Sequence, residues 1–535
     1  MSNGRIFPLI LFLPVIVIPA LNSASLLTLP MFRTSSNLGS ARGEHTDAST
    51  QPVEVESQAG VLLRNILSEK IAELTLSQNL TRSQRRWFVP MDADNADELL
   101  KRLNMPSSQR TAPVPLTSRG RSWSGTAWAY HNHIPDRVEH CVFVLAITHH
   151  LDTEHMEVLQ SMRIRNDSSF WETIVRSDIG PDELKITVVS KDKIATGVVQ
   201  LDRWSKEHGA TYRSVVVAPP GIYDVSVVLE YGFFGAINEF QSTATRHIHK
   251  RILAGRVALC KPGATRTNAS SRPLRSRIPG YYEMHHHTPP KLAYYPFRGA
   301  AWRYRLLSGY APPRYAVEDR GAFLSCLHSK WKPKSPLRVL FTGDSQIRTL
   351  FRHFVSVVEN EPVEVSKSFN LTIQHRSAPV HSTFLWDSYL KRLTRFGDVL
   401  HQEFDVVVFG MGSWPASYGQ WSMPMFGNAV ERLSEALGSA SRGTNVLLVY
   451  AGSPAWPKHR KGTPGFRITN TRLGIMNQIA YDALLRVGAW ILPFFDMSYP
   501  MAKMKSKDDM HYDRSVVLYT AVEYLADIIC ARQRL

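Results

Sequence analysis

The sequence predicts an α/β fold: a parallel β-sheet flanked by helices in the C-terminal part of the chain, preceded by a β-sandwich. Three observations carry this expectation. From residue 336 onward, apolar strand-like runs alternate with helical patterns, and repeated β-then-α units imply a parallel sheet with helices on both faces. Between residues 138 and 234 the runs are short, β-rich and separated by turn signals, the pattern of a sandwich. Within that region Tyr223, Val225, Val227, Leu229 and Tyr231 alternate on one face of a half-buried strand.

At the N-terminus, Arg5 precedes an apolar run from Ile6 to Leu21 that prolines interrupt. It is short for a membrane span and suits a secretory h-region. With Leu26, Leu27, Leu29, Met31 and Phe32 counted in, residues 1–32 read as a signal anchor, a cleaved signal peptide being the alternative. The chain would then meet a membrane through its N-terminal anchor. Residues 33–135 read as a stalk or linker with short helices, because Ser, Thr, Gln and Glu dominate 33–60 without apolar periodicity. Leu62 to Leu76 is weakly amphipathic, and Pro106 to Ser122 is a further connection. Sequons at Asn79, Asn166, Asn268 and Asn370 agree with entry into the secretory pathway.

The β-sandwich is expected over residues 136–234, with strands at 141–147, 156–164, 184–189, 198–204, 212–217 and 222–231. Residues 235–335 read as an irregular, aromatic-rich segment packing on the C-terminal domain. Adjacent His285, His286 and His287 point in different directions, so no metal site is expected there. Cys141, Cys260, Cys326 and Cys530 contain no Cys-x-x-Cys and leave three disulfide pairings open. Cys260 with Cys326 is the expected one, and free buried thiols are the alternative.

The C-terminal domain, 336–535, carries the candidate chemistry. Strands are expected at 337–341, 405–409, 445–450 and 490–494, and helices after Ser345 and at 429–437, 473–487 and 515–530. Gly343-Asp344-Ser345 ends the first strand, and Ile347, Leu350, Phe351, Phe354, Val355 and Val358 recur behind it at helical spacing. Ser345 thus stands at a strand-to-helix corner, where free backbone N–H groups can hold an oxyanion. On its own the tripeptide is more often an ordinary turn and helix cap. A nucleophilic serine needs a base and the base an orienting carboxylate. Asp508 and His511, three residues apart, supply such a pair, with Asp509 and Asp513 as rival carboxylates. Arg348 can bind substrate or pair with an acid. Trp414, Trp421 and Trp456 are candidates for stacking on sugar rings, with core packing as the alternative.

Gly343-Asp344-Ser345 followed by Asp508-x-x-His511 resembles the PC-esterase branch of the SGNH hydrolases. Cys326-Leu327 and Gly343-Asp344-Ser345-x-x-Arg348 resemble the neurexophilin-and-PC-esterase proteins, as does Pro219-Pro220-Gly221-Ile222-Tyr223-Asp224-Val225 of their immunoglobulin/filamin-like module. Thr383-Phe384-Leu385-Trp386 and Gly412-Ser413-Trp414 are similar to segments of the trichome-birefringence-like O-acetyltransferases. The resemblance covers the second half of the chain well and the middle loosely. It implies an SGNH-like parallel sheet after an immunoglobulin/filamin-like sandwich, with catalytic Ser345, His511 and Asp508. It also implies an oxyanion and substrate site at Gly412, Ser413, Trp414 and Arg348. The Asn that SGNH enzymes carry in the third block is missing from Gly410-Met411-Gly412-Ser413-Trp414.

The implied activity is transfer of acetyl groups onto glycan or polysaccharide hydroxyls by a Golgi-membrane enzyme with a lumenal catalytic domain, or a secreted one. No bound cofactor is implied; the acetyl donor is open between acetyl-CoA and an acetylated carrier. A carbohydrate O-acetyl esterase and a non-catalytic glycan-binding protein are the alternatives. The formal charge of +17 suits acidic glycans or an anionic donor, and in a secretory protein nucleic acid is not an expected partner.

Overall fold

A computed structural model describes residues 113–118, 122–130, 141–150, 182–197, 199–205, 209–219, 221–232, 247–259, 280–285, 301–306, 320–330, 336–363, 370–395, 403–419, 421–441, 445–456, 468–501, 511–512 and 515–531. All belong to one compact unit, Glu56–Leu535. The described protein is mixed α/β, with two antiparallel sheets and one largely parallel sheet.

The first strands are β1 (Val114–Pro115), β2 (Thr117–Ser118), β3 (Trp123–Tyr130), β4 (Cys141–His149), β5 (Glu183–Val189) and β6 (Lys193–Ala195). They are followed by β7 (Val199–Ser205), β8 (Gly209–Ala218), β9 (Gly221–Tyr231), β10 (His247–Leu259), β11 (Gly280–His285) and β12 (Ala301–Leu306). Five form a sheet in the order β1-β3-β4-β8-β7 and seven form another, β12-β11-β6-β5-β9-β10-β2. Alternation along the strands explains why the two sheets share a core. Phe143, Leu145 and Ile147 of β4 meet Ile186 and Val188 of β5 and Tyr223, Val225 and Val227 of β9 in one buried cluster.

Two stretches depart from the sequence reading. Strands β10, β11 and β12 lie in the segment expected to be irregular, and β1, β2 and β3 lie in residues 33–135, expected to be a stalk or linker with short helices. The aromatic and Pro/Ser/Arg content of these stretches masks their pairing, which long-range partners supply: Leu253 and Ala254 of β10 face Ser118 and Thr117 of β2. The strand expected at 156–164 and the N-terminal 112 residues lie outside the described set. Among the described residues, no helix is long and apolar enough to cross a membrane.

Helix α1 (Arg320–Lys330) leads into β13 (Leu337–Gly343) and α2 (Ser345–Glu359). Then come β14 (Asn370–Gln374), β15 (Val380–Trp386), β16 (Val406–Gly410), α3 (Ser413–Ala416), α4 (Met423–Ser441) and β17 (Leu447–Ala451). The chain continues through α5 (Asn470–Leu485), β18 (Trp490–Leu492), α6 (Phe494–Ser498) and α7 (Val516–Ala531). The third sheet runs β14-β15-β13-β16-β17-β18. All its pairings are parallel except β14 with β15.

Both faces of the sheet's centre are covered, which is why β16 and β17 are buried on every residue, whereas β14 and β15 alternate. Val339 and Phe341 of β13, Val406 and Val408 of β16, and Leu447 and Val449 of β17 face a cluster completed by α2 and α7. Leu340, Val407, Phe409, Leu448 and Tyr450 face the opposite cluster, built with α4 and α5. On α2, Leu350, Phe351, Phe354, Val355 and Val358 are completely buried, each stabilising the layer by roughly 1.5–3 kcal/mol.

Cys326 of α1 and Cys530 of α7 form a disulfide with Cα atoms 6.3 Å apart. This corrects the expected pairing of Cys260 with Cys326. Packing of the last helix beside α1 brings together two cysteines 204 residues apart, a proximity that sequence spacing does not encode.

Candidate active site

Numbered along the chain, the five parallel strands are ordered 2-1-3-4-5, so successive connections leave β13 in opposite directions. In such a sheet the crevice for ligands opens beyond the carboxyl ends of the strands where the order reverses. Here that point lies between β13 and β16, which end at Gly343 and Gly410. Ser345 follows the first and Gly412-Ser413-Trp414 follows the second.

Glycine is required where these strands meet. A Cβ on Gly343, at φ +157°, would lie 2.5 Å from the carbonyl oxygen of Gly410 and 2.6 Å from Ile347 Cγ1. A Cβ on Gly410 would collide with the carbonyl oxygen of Ala451. The close approach lets α2 start directly above the strand ends.

Asp344 caps α2, its Oδ1 accepting from the amide of Gln346 at 2.9 Å. Burial pushes its carboxyl up to about 6, against the opposing pull of the Gln346 and Ile347 amides and the nearby charges of His511 and Arg348. Ser345 is the first residue of the helix and partly exposed, whereas residues 341–344, 346 and 347 are buried. Since Asp344 occupies the next two amides, the N–H of Ser345 itself is the one left at this corner for an incoming oxygen.

His511 is partly exposed and near enough to Asp344 to act on its charge. Its neighbour Tyr512 is buried, and the Tyr512 hydroxyl donates to the carbonyl of Ala455 at 2.7 Å. That bond fixes the His511 turn to the loop after β17. The expected orienting carboxylate, Asp508, and its rivals Asp509 and Asp513 lie outside the described residues.

The Gly412 loop is held by the same β17 loop. Gly412 adopts φ +156°, and a Cβ there would lie 2.7 Å from Ser453 Cβ. The hydroxyls of Ser413 and Ser453 are 2.5 Å apart. Asn477 of α5 clamps Ser453 from both sides, accepting from its amide and donating to its carbonyl, each at 2.9 Å. Ser453, Asn477 and Tyr512 were not among the residues singled out from the sequence. The Ser-Pro dipeptide just after a strand was the available signal for the first.

Aromatic side chains ring the same rim. Trp386, at the end of β15, meets Trp414 edge-on at 5.5 Å, and Trp414 lies 4.5 Å from Tyr418. Tyr389 contacts both Trp414 and Trp421. All five rings are partly or largely exposed. Arg348 sits over the Trp386 ring at 5.5 Å. Trp456 does not join them: it is buried in the α4 and α5 core, because Asn470 holds its amide and turns the loop inward. Among the described residues no group of three His, Cys, Asp or Glu side chains is placed to hold a metal ion.

No protein-family model matches the chain, and no curated protein matches it.

Proposed function

We propose that the protein is an acyl-serine enzyme of the SGNH/PC-esterase type that transfers acetyl groups to glycan hydroxyls in the secretory pathway. The observation that carries this reading is Ser345: a partly exposed hydroxyl on the first residue of a helix, at the switch point of a parallel sheet, with His511 acting on the adjacent Asp344. His511 takes the Ser345 proton as Oγ attacks the acetyl carbonyl, and Asp508 orients the imidazole. The amide of Ser345 and the Gly412 and Ser413 loop stabilise the oxyanion. The tetrahedral intermediate collapses, His511 gives that proton to the departing donor group as its bond to the acetyl carbon breaks, and acetyl-serine is left. An acceptor hydroxyl then gives its proton to the neutral His511 as it attacks, and the bond to Oγ breaks as His511 returns that proton to Ser345.

The exposed aromatic rim supports a sugar as acceptor, since pyranose rings stack on aromatic faces. The Cys326–Cys530 disulfide supports an oxidising lumen, and with the N-terminal apolar run it favours a Golgi-resident, anchored enzyme. An immunoglobulin/filamin-like identity for the antiparallel sheets belongs to the same proposal.

Purified full-length protein incubated with p-nitrophenyl acetate is expected to gain one acetyl mass on Ser345, located by peptide mass spectrometry. Ser345→Ala is expected to gain none. Equal labelling of both proteins, or of neither, sinks the enzyme reading.

A further inference from the structure

Arg348 stands one turn beyond Ser345 on α2, half-buried against Trp386. Among the described residues it has no ion pair and no side-chain hydrogen bond. Asp344, whose charge acts on it, already accepts from the amides at the helix start. Burial and the charge of Arg352, one turn further on, both disfavour the guanidinium's charged state, and the charge of Asp344 offsets them only in part. A half-buried cation that its surroundings compensate only in part is costly, and such a group is normally paired. A second cation lies on the same rim: Lys391 Nζ sits 5.5 Å from the Tyr389 ring. It too has no carboxylate partner among the described residues.

A neutral sugar would use the aromatic faces and leave Arg348 only partly compensated. A carboxylate matches the planar guanidinium fork with two parallel hydrogen bonds. Resting on the acyl-serine reading of Ser345, we propose that the acceptor is an acidic sugar of the uronic-acid type. Its ring stacks on Trp414 and Tyr418, and its carboxylate is held by Arg348. This binding mode sets a hydroxyl of the same or the neighbouring sugar against Ser345 and makes Arg348 the residue that selects the acceptor.

The test uses full-length Ser345→Ala protein without any acyl donor, so that binding is read apart from chemistry. A glucuronic-acid-containing disaccharide and its neutral glucose counterpart are titrated by calorimetry and by tryptophan fluorescence, which Trp386 and Trp414 should report. The acidic sugar is expected to bind roughly tenfold tighter or more, with the preference falling as salt rises. Arg348→Gln should erase the preference. Arg348→Lys should keep part of it, through charge without the fork. Equal affinity for the two sugars overturns the proposal, as does a preference that survives Arg348→Gln, or an Arg348-dependent response to coenzyme A alone. Failure here with Ser345 still acetylated in the wild type leaves the acyl-serine reading standing. Acid-selective binding without acetylation makes the protein a glycan-binding module.

Discussion

Ser453 illustrates how much of the site depends on single hydroxyls. The loop at 410–414 holds no Asn, and Ser413 stands in it with its hydroxyl 2.5 Å from Ser453. Two hydroxyls so paired share one proton between them and leave the other free to point elsewhere. Ser453 therefore sets the direction of the Ser413 O–H and is a positioning residue. Ser453→Ala is expected to slow acetylation of Ser345 by roughly tenfold, less than outright loss of an oxyanion donor. The midpoint of thermal unfolding should change little. Stopped-flow release of p-nitrophenol checks the first and calorimetry the second. Cysteine is the informative control, because a thiol is only a weak donor and acceptor and should restore little of the rate. The corner that carries Ser345 was legible in the sequence, because an apolar strand pattern stops there and a helical one starts. Ser453 was not, since its meaning lies across the sheet, in the adjacency of β16 and β17.

Among the elements, the corner formed by β13, α2 and β16 is the one that builds the site, and its geometry rests on two small residues. Gly410 has the carbonyl of Ala451 on one side and Ile347 Cδ1 at 2.7 Å on the other, so any side chain there must part the strands or lift α2. Gly488 offers a comparison: its φ is +79°, yet a Cβ there meets nothing within 4 Å. Gly488→Ala is expected to cost about 1 kcal/mol from backbone strain alone. Gly410→Ala should cost several times more and also weaken acetylation, because it displaces Ser345. Chemical denaturation of the two variants compares them, and equal losses would refute the packing argument. The parallel strands β13, β16, β17 and β18 were readable here because they are largely apolar and spaced by helical patterns, whereas parallel β15, with His381, Ser382 and Thr383 in it, was not. Edge strand β14 was not: its side chains alternate between exposed and half-buried, and only its antiparallel pairing with β15 defines it. The Cys326–Cys530 bond was hidden for a related reason, since helices α1 and α7 become neighbours only after the whole sheet has formed.

At the scale of the molecule, the antiparallel part and the site are joined by an acid. Glu183, the first residue of β5, is buried, and its Oε1 accepts from the amide of Asn470 at the start of α5 at 2.8 Å. The Asn470 side chain in turn accepts from the Trp456 amide. The chain of contacts continues along the loop to Ser453 and Ser413. Burial, with the charge of Glu230 adding to it, pushes the Glu183 carboxyl from its ordinary 4.5 up to about 8, and the α5 amides and Lys185 pull it back only in part. At neutral pH the folded protein therefore holds a proton that the unfolded chain has released. Because the folded value is the higher one, the contribution to stability is whole below about pH 4.5 and drains away as pH climbs to about 8. Above that, the native state carries an anion with little solvation, a cost on the order of 3–5 kcal/mol. Glu183→Gln keeps an acceptor for Asn470 but has no proton to lose. The variant's unfolding midpoint relative to wild type is expected to rise steadily between pH 5 and pH 8 and to level off beyond. Above pH 8 its Ser345 acetylation should also outlast that of the wild type, because the Asn470 and Trp456 contacts stay in place. Differential scanning calorimetry across that range measures the first, and acetylation at matched pH the second. A difference between the two proteins that does not change with pH would mean that Glu183 is already ionised in the fold, and that the link from the antiparallel sheets to the site works by shape alone.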